Sequence, residues 1–212
     1  MGSPKIELIP IDMLIPHEDA EKQRLLNVLG KLLMTRTLKK PVIVDAKRYI
    51  IIDGHHRVNA MKILGAKHIP AVLADYSSDI SDVGGWMYVA SRGYRDQKLL
   101  EKAIREAEYS AKRGDGILIF KIGDEVVKAR VDRIDFYLAI KELGLYNIFN
   151  SLTKTSINLK ICLTHDICLA PPKLVVDDIY RIASKNILLP PRTTCHKTAL
   201  KNVAMEFKLR NL

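Results

Sequence analysis

The chain has 212 residues, 48% hydrophobic and 27% charged, with a net charge of +10, so it can bury a sizeable core and seek an anionic partner. No apolar run approaches the ~18 residues a bilayer span needs, and the first residues lack the charged, apolar, small order of a signal peptide. Three cysteines (Cys162, Cys168, Cys195) without C-x-x-C spacing argue against a disulfide framework or a structural zinc site, and fit a reducing cytoplasm.

Residues 5–11 read as a strand, with Ile6 and Leu8 apolar. Residues 18–33 read as a helix on the spacing of Leu25, Val28, Leu29 and Leu32. Glu18, Asp19 and Glu21 fall in its expected first turn, where the helix dipole favours carboxylates. Residues 42–44 and 49–52 are predicted strands. The unbroken run Tyr49-Ile50-Ile51-Ile52 is what a central strand buried on both faces requires. Asp53-Gly54 stops that strand, and a helix over 55–64 follows, closed by Gly65. Residues 69–73 form the next strand, and the Ser-, Asp- and Gly-rich stretch 76–85 is the linker. Beyond it the pattern predicts a helix over 96–112 and a hairpin over 117–122 and 125–130 across Gly123-Asp124. A helix over 133–143, a strand over 157–163, a helix from Pro171-Pro172 to Ser184 and an edge strand over 203–209 complete the order. The expected class is α/β, mixed with α+β, in two lobes: residues 1–76 and 77–212.

Neither a P-loop nor a Rossmann glycine fingerprint is present, and H-E-x-x-H is absent. What carries chemistry is Asp53-Gly54-His55-His56-Arg57 between a buried strand and a helix. Unpaired N–H groups at a helix start attract anions, and a glycine there lets a phosphate approach the backbone. Arg57 adds a fork-shaped cation, His55 and His56 add donors, and Asp53 supplies a carboxylate suited to Mg²⁺ beside phosphates.

That motif, with the following Leu64-Gly65-Ala66-Lys67 and Ile69-Pro70-Ala71-Val72, resembles the ParB/sulfiredoxin-type nucleotide-binding lobe. Two further segments, Pro16-His17-Glu18 and Pro191-Arg192-Thr193-Thr194-Cys195-His196, are similar to segments of the archaeal free serine kinases, which move a phosphoryl group from a nucleotide to L-serine. The likeness is close over residues 5–76, patchy in the middle and recovered over 186–209. The resemblance implies an active site in a cleft between the lobes, with Glu18 as base for the serine hydroxyl and Asp53 near the metal. Gly54, His55, His56 and Arg57 would hold the phosphates. Trp86, Arg192, Thr193, Thr194 and His196 would meet serine or phosphoserine. It implies Mg²⁺, ADP or ATP as donor, small-molecule substrates and a cytoplasmic monomer, without nucleic acid or membrane as partner. One departure is Cys195, where the family carries a basic residue before the last histidine.

Two other readings share the first lobe. A sulfiredoxin-like enzyme needs a cysteine in the helix-start motif, where this chain has His55 and His56. A ParB-like, nucleotide-switched DNA-binding protein is the alternative. It draws on the tail from Arg181 onward, where seven basic residues stand against Glu206 alone. It lacks an evident helix-turn-helix, and the aromatic residues do not interleave with the basic ones.

Overall fold

The computed structural model describes residues 4–90, 94–150 and 152–209. They divide into two compact units. Unit 1 comprises residues 1–82, 181–191 and 196–212, and unit 2 comprises 83–180 and 192–195. The first boundary lies a few residues beyond the expected one, but most of the tail returns to unit 1 rather than staying with the second lobe.

In chain order unit 1 opens with β1 (Ile6–Pro10), α1 (Lys22–Thr35), β2 (Thr37–Leu38), β3 (Val42–Asp45), β4 (Ile51–Asp53), α2 (His55–Ile63) and β5 (His68–Ala74). Its sheet has the order β1-β5-β3-β4. β3 and β5 are parallel, while β1 against β5 and β4 against β3 are antiparallel. The core is built from alternate sheet residues such as Val42, Val44, Ile69 and Ala71, closed by Val58 and Met61 of α2 and Leu32 of α1. β4 is therefore an edge strand, not a central one. Its apolar run is buried nonetheless, because the incoming chain lies along it: Ile15 bridges Ile50, and the Ile51 N–H donates to the Ile15 carbonyl at 3.0 Å.

α1 starts at Lys22, not at residue 18, and has no acid in its first turn. Residues 17–19 run extended instead. Glu18 bridges Leu189, the Asp19 N–H donates to the Leu189 carbonyl and the Leu189 N–H donates to His17. The backbone pairing with the returning chain outweighs the helical preference of this stretch.

The chain then passes through β6 (Asp82–Gly84) into β7 (Trp86–Ala90), α3 (Gln97–Ser110), β8 (Gly116–Ile122), β9 (Glu125–Val131) and α4 (Arg133–Glu142). α5 (Tyr146–Asn150), β10 (Thr153–Ser156), α6 (Leu159–Thr164), β11 (Ile167–Ala170) and α7 (Val176–Ser184) follow. The unit 2 sheet has the order β10-β7-β11-β8-β9, and each pair is antiparallel. The expected strand over 157–163 is mostly α6, started by Asn158, whose side chain accepts from the Lys160 N–H. Cys162 of α6 and Cys168 of β11 form a disulfide with Cα atoms 5.2 Å apart, against the expectation from cysteine count. They are six positions apart in the chain, and the turn from α6 into β11 folds back so that both are buried side by side. β12 (Cys195–Lys197) and β13 (Phe207–Lys208) close the chain, with β13 antiparallel to β2 in unit 1. No helix among the described residues is long and apolar enough to cross a membrane.

Candidate active site

In unit 1, β4 delivers the chain to Gly54, whose φ of 109° lies in the left-handed region that favours glycine. A Cβ there would sit 2.7 Å from Val42 Cγ1 and 3.1 Å from Arg57 Nη2. α2 begins at once, and no side chain caps it. The first intrahelical bond runs from the Val58 N–H to the Gly54 carbonyl, so the N–H groups of His55, His56 and Arg57 precede the helical ladder. α4 differs: there Asp132 accepts from both the Ile134 and Asp135 N–H groups. Helix dipole and N–H groups that precede the helical ladder together make the Gly54 turn an anion-binding geometry.

The side chains of the motif divide their work. Arg57 donates to Asp53 Oδ2 and to the Lys40 and Pro41 carbonyls, so its guanidinium is held across the turn rather than reaching into solvent. Its side chain is 19% exposed, and Asp53 is 35% exposed with Oδ1 outside that pair. His56 accepts at Nε2 from the Glu21 N–H, 3.1 Å away. That bond places the imidazole proton on Nδ1. His55 is buried, and its Nε2 has no hydrogen-bond partner among the described residues.

His55 belongs to a buried histidine cluster. Its ring packs edge-on against His17 with centroids 4.7 Å apart, and His17 meets His196 at 5.7 Å. Tyr76 Oη and His196 Nε2 share a hydrogen bond of 3.1 Å. Burial holds His55 down at about 3, and electrostatic repulsion from Arg57, and from His196 and His56 were they protonated, opposes its protonation further. Burial and Lys201 hold His196 at about 4, against an upward pull from Asp53 and Asp82. His17 lies well below its ordinary value, through burial first and then His55 and His196. All three are therefore neutral near pH 7. The 3.7 Å approach of His17 Nε2 to Glu18 Oε1 is accordingly a contact of a neutral imidazole with a carboxylate, not an ion pair. Glu18 itself is only 7% exposed.

Unit 2 holds a second group. The Arg192 guanidinium stacks 5.2 Å over the Trp86 ring, and Trp86 Nε1 donates to the Thr194 carbonyl at 3.3 Å. Thr193 is buried, and Arg192 has φ 61°, a conformation uncommon outside glycine. The structure thus gathers Glu18, Asp53, Gly54, His55, His56, Arg57 and His196 in unit 1, and Trp86, Arg192, Thr193 and Thr194 in unit 2. Sequence reasoning singled out neither His17 nor Tyr76 as a site residue. The one available signal was the place of His17 beside Glu18. Cys195 is a half-buried free thiol.

A single carboxylate with one oxygen outside the Arg57 pair suits Mg²⁺, which is held largely by phosphates and water. Among the described residues no group of three or more histidine, cysteine or acidic side chains forms an all-protein metal cage.

Comparison with known proteins agrees with this architecture. Residues 3–82 match the ParB N-terminal domain. An ATP-dependent L-serine kinase of Staphylothermus marinus is 32% identical over 159 residues, which make up 73% of this chain and 60% of that one. A ParB-like protein of Sulfolobus acidocaldarius is 25% identical over 198 residues, 92% of each chain. The structure of a free serine kinase in complex with AMP aligns with a TM-score of 0.75 at 20% identity, covering 98% of this chain and 93% of that one. By fold the chain is a mixed α/β protein whose first 82 residues include the ParB N-terminal match. It is similar in sequence to the Staphylothermus L-serine kinase, of whose length it spans 60%.

Proposed function

We propose that the protein is a free L-serine kinase that transfers the terminal phosphoryl group of ADP or ATP to the serine hydroxyl, giving O-phospho-L-serine. The observation that carries this reading is the uncapped start of α2 at Gly54, beside Asp53 and buried, unpartnered His55 Nε2. Such a turn binds phosphate through backbone N–H groups, and phosphoryl transfer needs positioning and charge neutralisation above all. The activity of the Staphylothermus L-serine kinase, to which the chain is similar, supports the same assignment.

In this reading Glu18 takes the serine hydroxyl proton as the oxygen bonds to the terminal phosphorus. The bond from that phosphorus to the leaving nucleotide oxygen breaks, releasing AMP from ADP or ADP from ATP. Arg57 fixes Asp53 across the turn, His56 ties the start of α1 to it through the Glu21 N–H, and the N–H groups of α2 hold the phosphates. Mg²⁺ at Asp53 would neutralise charge on the phosphate oxygens. In unit 2 the Trp86–Arg192 stack supplies an aromatic wall and a cation fitted to the serine carboxylate, with Thr193 and Thr194 beside them. His196 shapes the unit 1 site as a neutral hydrogen-bonding group through Tyr76.

The test is incubation of purified protein with serine, Mg²⁺ and either nucleotide, with phosphoserine read by mass spectrometry. Product is expected with at least one donor, and its absence with both overturns the reading. A second reading, a nucleotide-switched DNA-binding protein, is favoured by the Sulfolobus match over 92% of each chain and by the basic tail. It predicts DNA association that falls steeply with salt.

A further inference from the structure

The pocket at the Gly54 turn has a second wall. A cavity of about 680 Å³ runs from the turn along one face of α1, where Gln23, Arg24, Asn27, Val28 and Lys31 line it. The bond from the Glu21 N–H to His56 Nε2 pins the start of α1 beside the turn. With a rise of ~1.5 Å per residue, Arg24 stands ~5 Å and Asn27 ~9 Å further along the helix. A nucleotide with its phosphates on the turn therefore extends its base towards Asn27 and Val28.

Asn27 is oriented for this. Gln23 Nε2 donates to Asn27 Oδ1 at 3.3 Å, an arrangement that favours one orientation of the exposed amide and presents its two N–H donors and one Oδ1 lone pair to a ligand. Adenine presents an amino donor next to a ring-nitrogen acceptor, and a carboxamide meets that pair with two parallel hydrogen bonds. Guanine presents a carbonyl where adenine has the amino group, which would set oxygen against oxygen. Accommodating it requires the amide to flip and the Gln23 bond to break. Val28 supplies the apolar contact a base plane needs, and Arg24, held 3.0 Å from Glu21 Oε2, places a cation between base and turn.

We propose that Asn27, oriented by Gln23, is the residue that selects adenine over guanine. The inference rests on the reading of the Gly54 turn as the phosphate site. Calorimetric titration of the full chain with ADP and with GDP, without serine, tests it. The wild-type protein is expected to prefer ADP by at least about tenfold. Asn27→Ala should weaken ADP binding by roughly ten- to thirtyfold, the loss of two hydrogen bonds, with GDP nearly unmoved, so that the ratio falls towards one. Gln23→Ala should narrow the ratio by improving GDP. Asn27 is an exposed helix residue, and alanine preserves the helix. An ADP-to-GDP ratio unchanged by Asn27→Ala overturns the assignment. If ADP selection collapses in Asn27→Ala but no phosphoserine forms, the base assignment stands and the kinase reading falls. If the wild-type chain binds neither nucleotide, both fall.

Discussion

Arg57 shows how one residue can serve a phosphate site without pointing into it. Its guanidinium spans Asp53 and two carbonyls of the segment before β3, directly over the space that a Cβ on Gly54 would enter. Removing it frees the Asp53 carboxylate and opens the turn. Arg57→Ala removes the charged hydrogen bonds that order the turn, each worth about 1.5–3 kcal/mol, and should weaken nucleotide binding, as measured by calorimetry. Unchanged affinity would remove Arg57 from the phosphate site. The histidines give a second prediction. His17, His55 and His196 are held neutral in the fold, whereas in the unfolded chain they titrate near ~6.5. Stability is thus fully present above that pH. It falls as the pH drops and the unfolded state takes up protons the folded state refuses, at ~1.4 kcal/mol per pH unit for each histidine. Below about 4, His196 begins to protonate in the folded state too, and its share of the slope fades. Denaturant unfolding at pH 7, 6 and 5 should show this decline, and His196→Gln should flatten it by one proton. A level profile between pH 5 and 7 would contradict the buried neutral cluster.

At the scale of elements, what was legible in the sequence was what local chemistry decides. The strand, glycine turn and helix of residues 51–63 follow from an apolar run, a residue tolerant of positive φ and helical spacing, and they formed as expected. Long-range contacts decided the rest. Residues 17–19 have helix-compatible chemistry but pair with Leu189, a partner no local window contains. The apolar residues of β4 suggested a central strand because burial and position in the sheet leave the same pattern. β7 was missed because it begins directly after a Gly-rich linker that is itself partly structured as β6. Spacing rules alone gave no reason to join Cys162 to Cys168. Their disulfide ties α6 to β11 and closes a short loop, for which chain entropy gives about 2 kcal/mol of stability. Thiol titration of the oxidised, denatured chain should find one free thiol, Cys195, rising to three after reduction, with a corresponding loss of stability. Three thiols without reductant would contradict the bridge.

For the whole molecule, the candidate site could be read in advance only as separate fragments. The D-G-H-H-R turn, Glu18 and the Arg192–His196 segment stand far apart in the chain, and it is the return of residues 181–191 and 196–212 to unit 1 that brings His196 to His17 and His55. Charge follows the same division: the basic tail that first suggested nucleic acid lies mostly in unit 1, which also holds the Gly54 turn. The central claim is that unit 1 binds the donor nucleotide at Gly54 and that Glu18, enclosed next to His17, activates the acceptor hydroxyl. The most direct measurement compares wild type and Glu18→Gln on the same preparations, following phosphoserine formation in single turnovers and nucleotide affinity by calorimetry. The account predicts turnover lowered by roughly 10²–10⁴-fold with nucleotide affinity unchanged, and turnover that survives intact would contradict it.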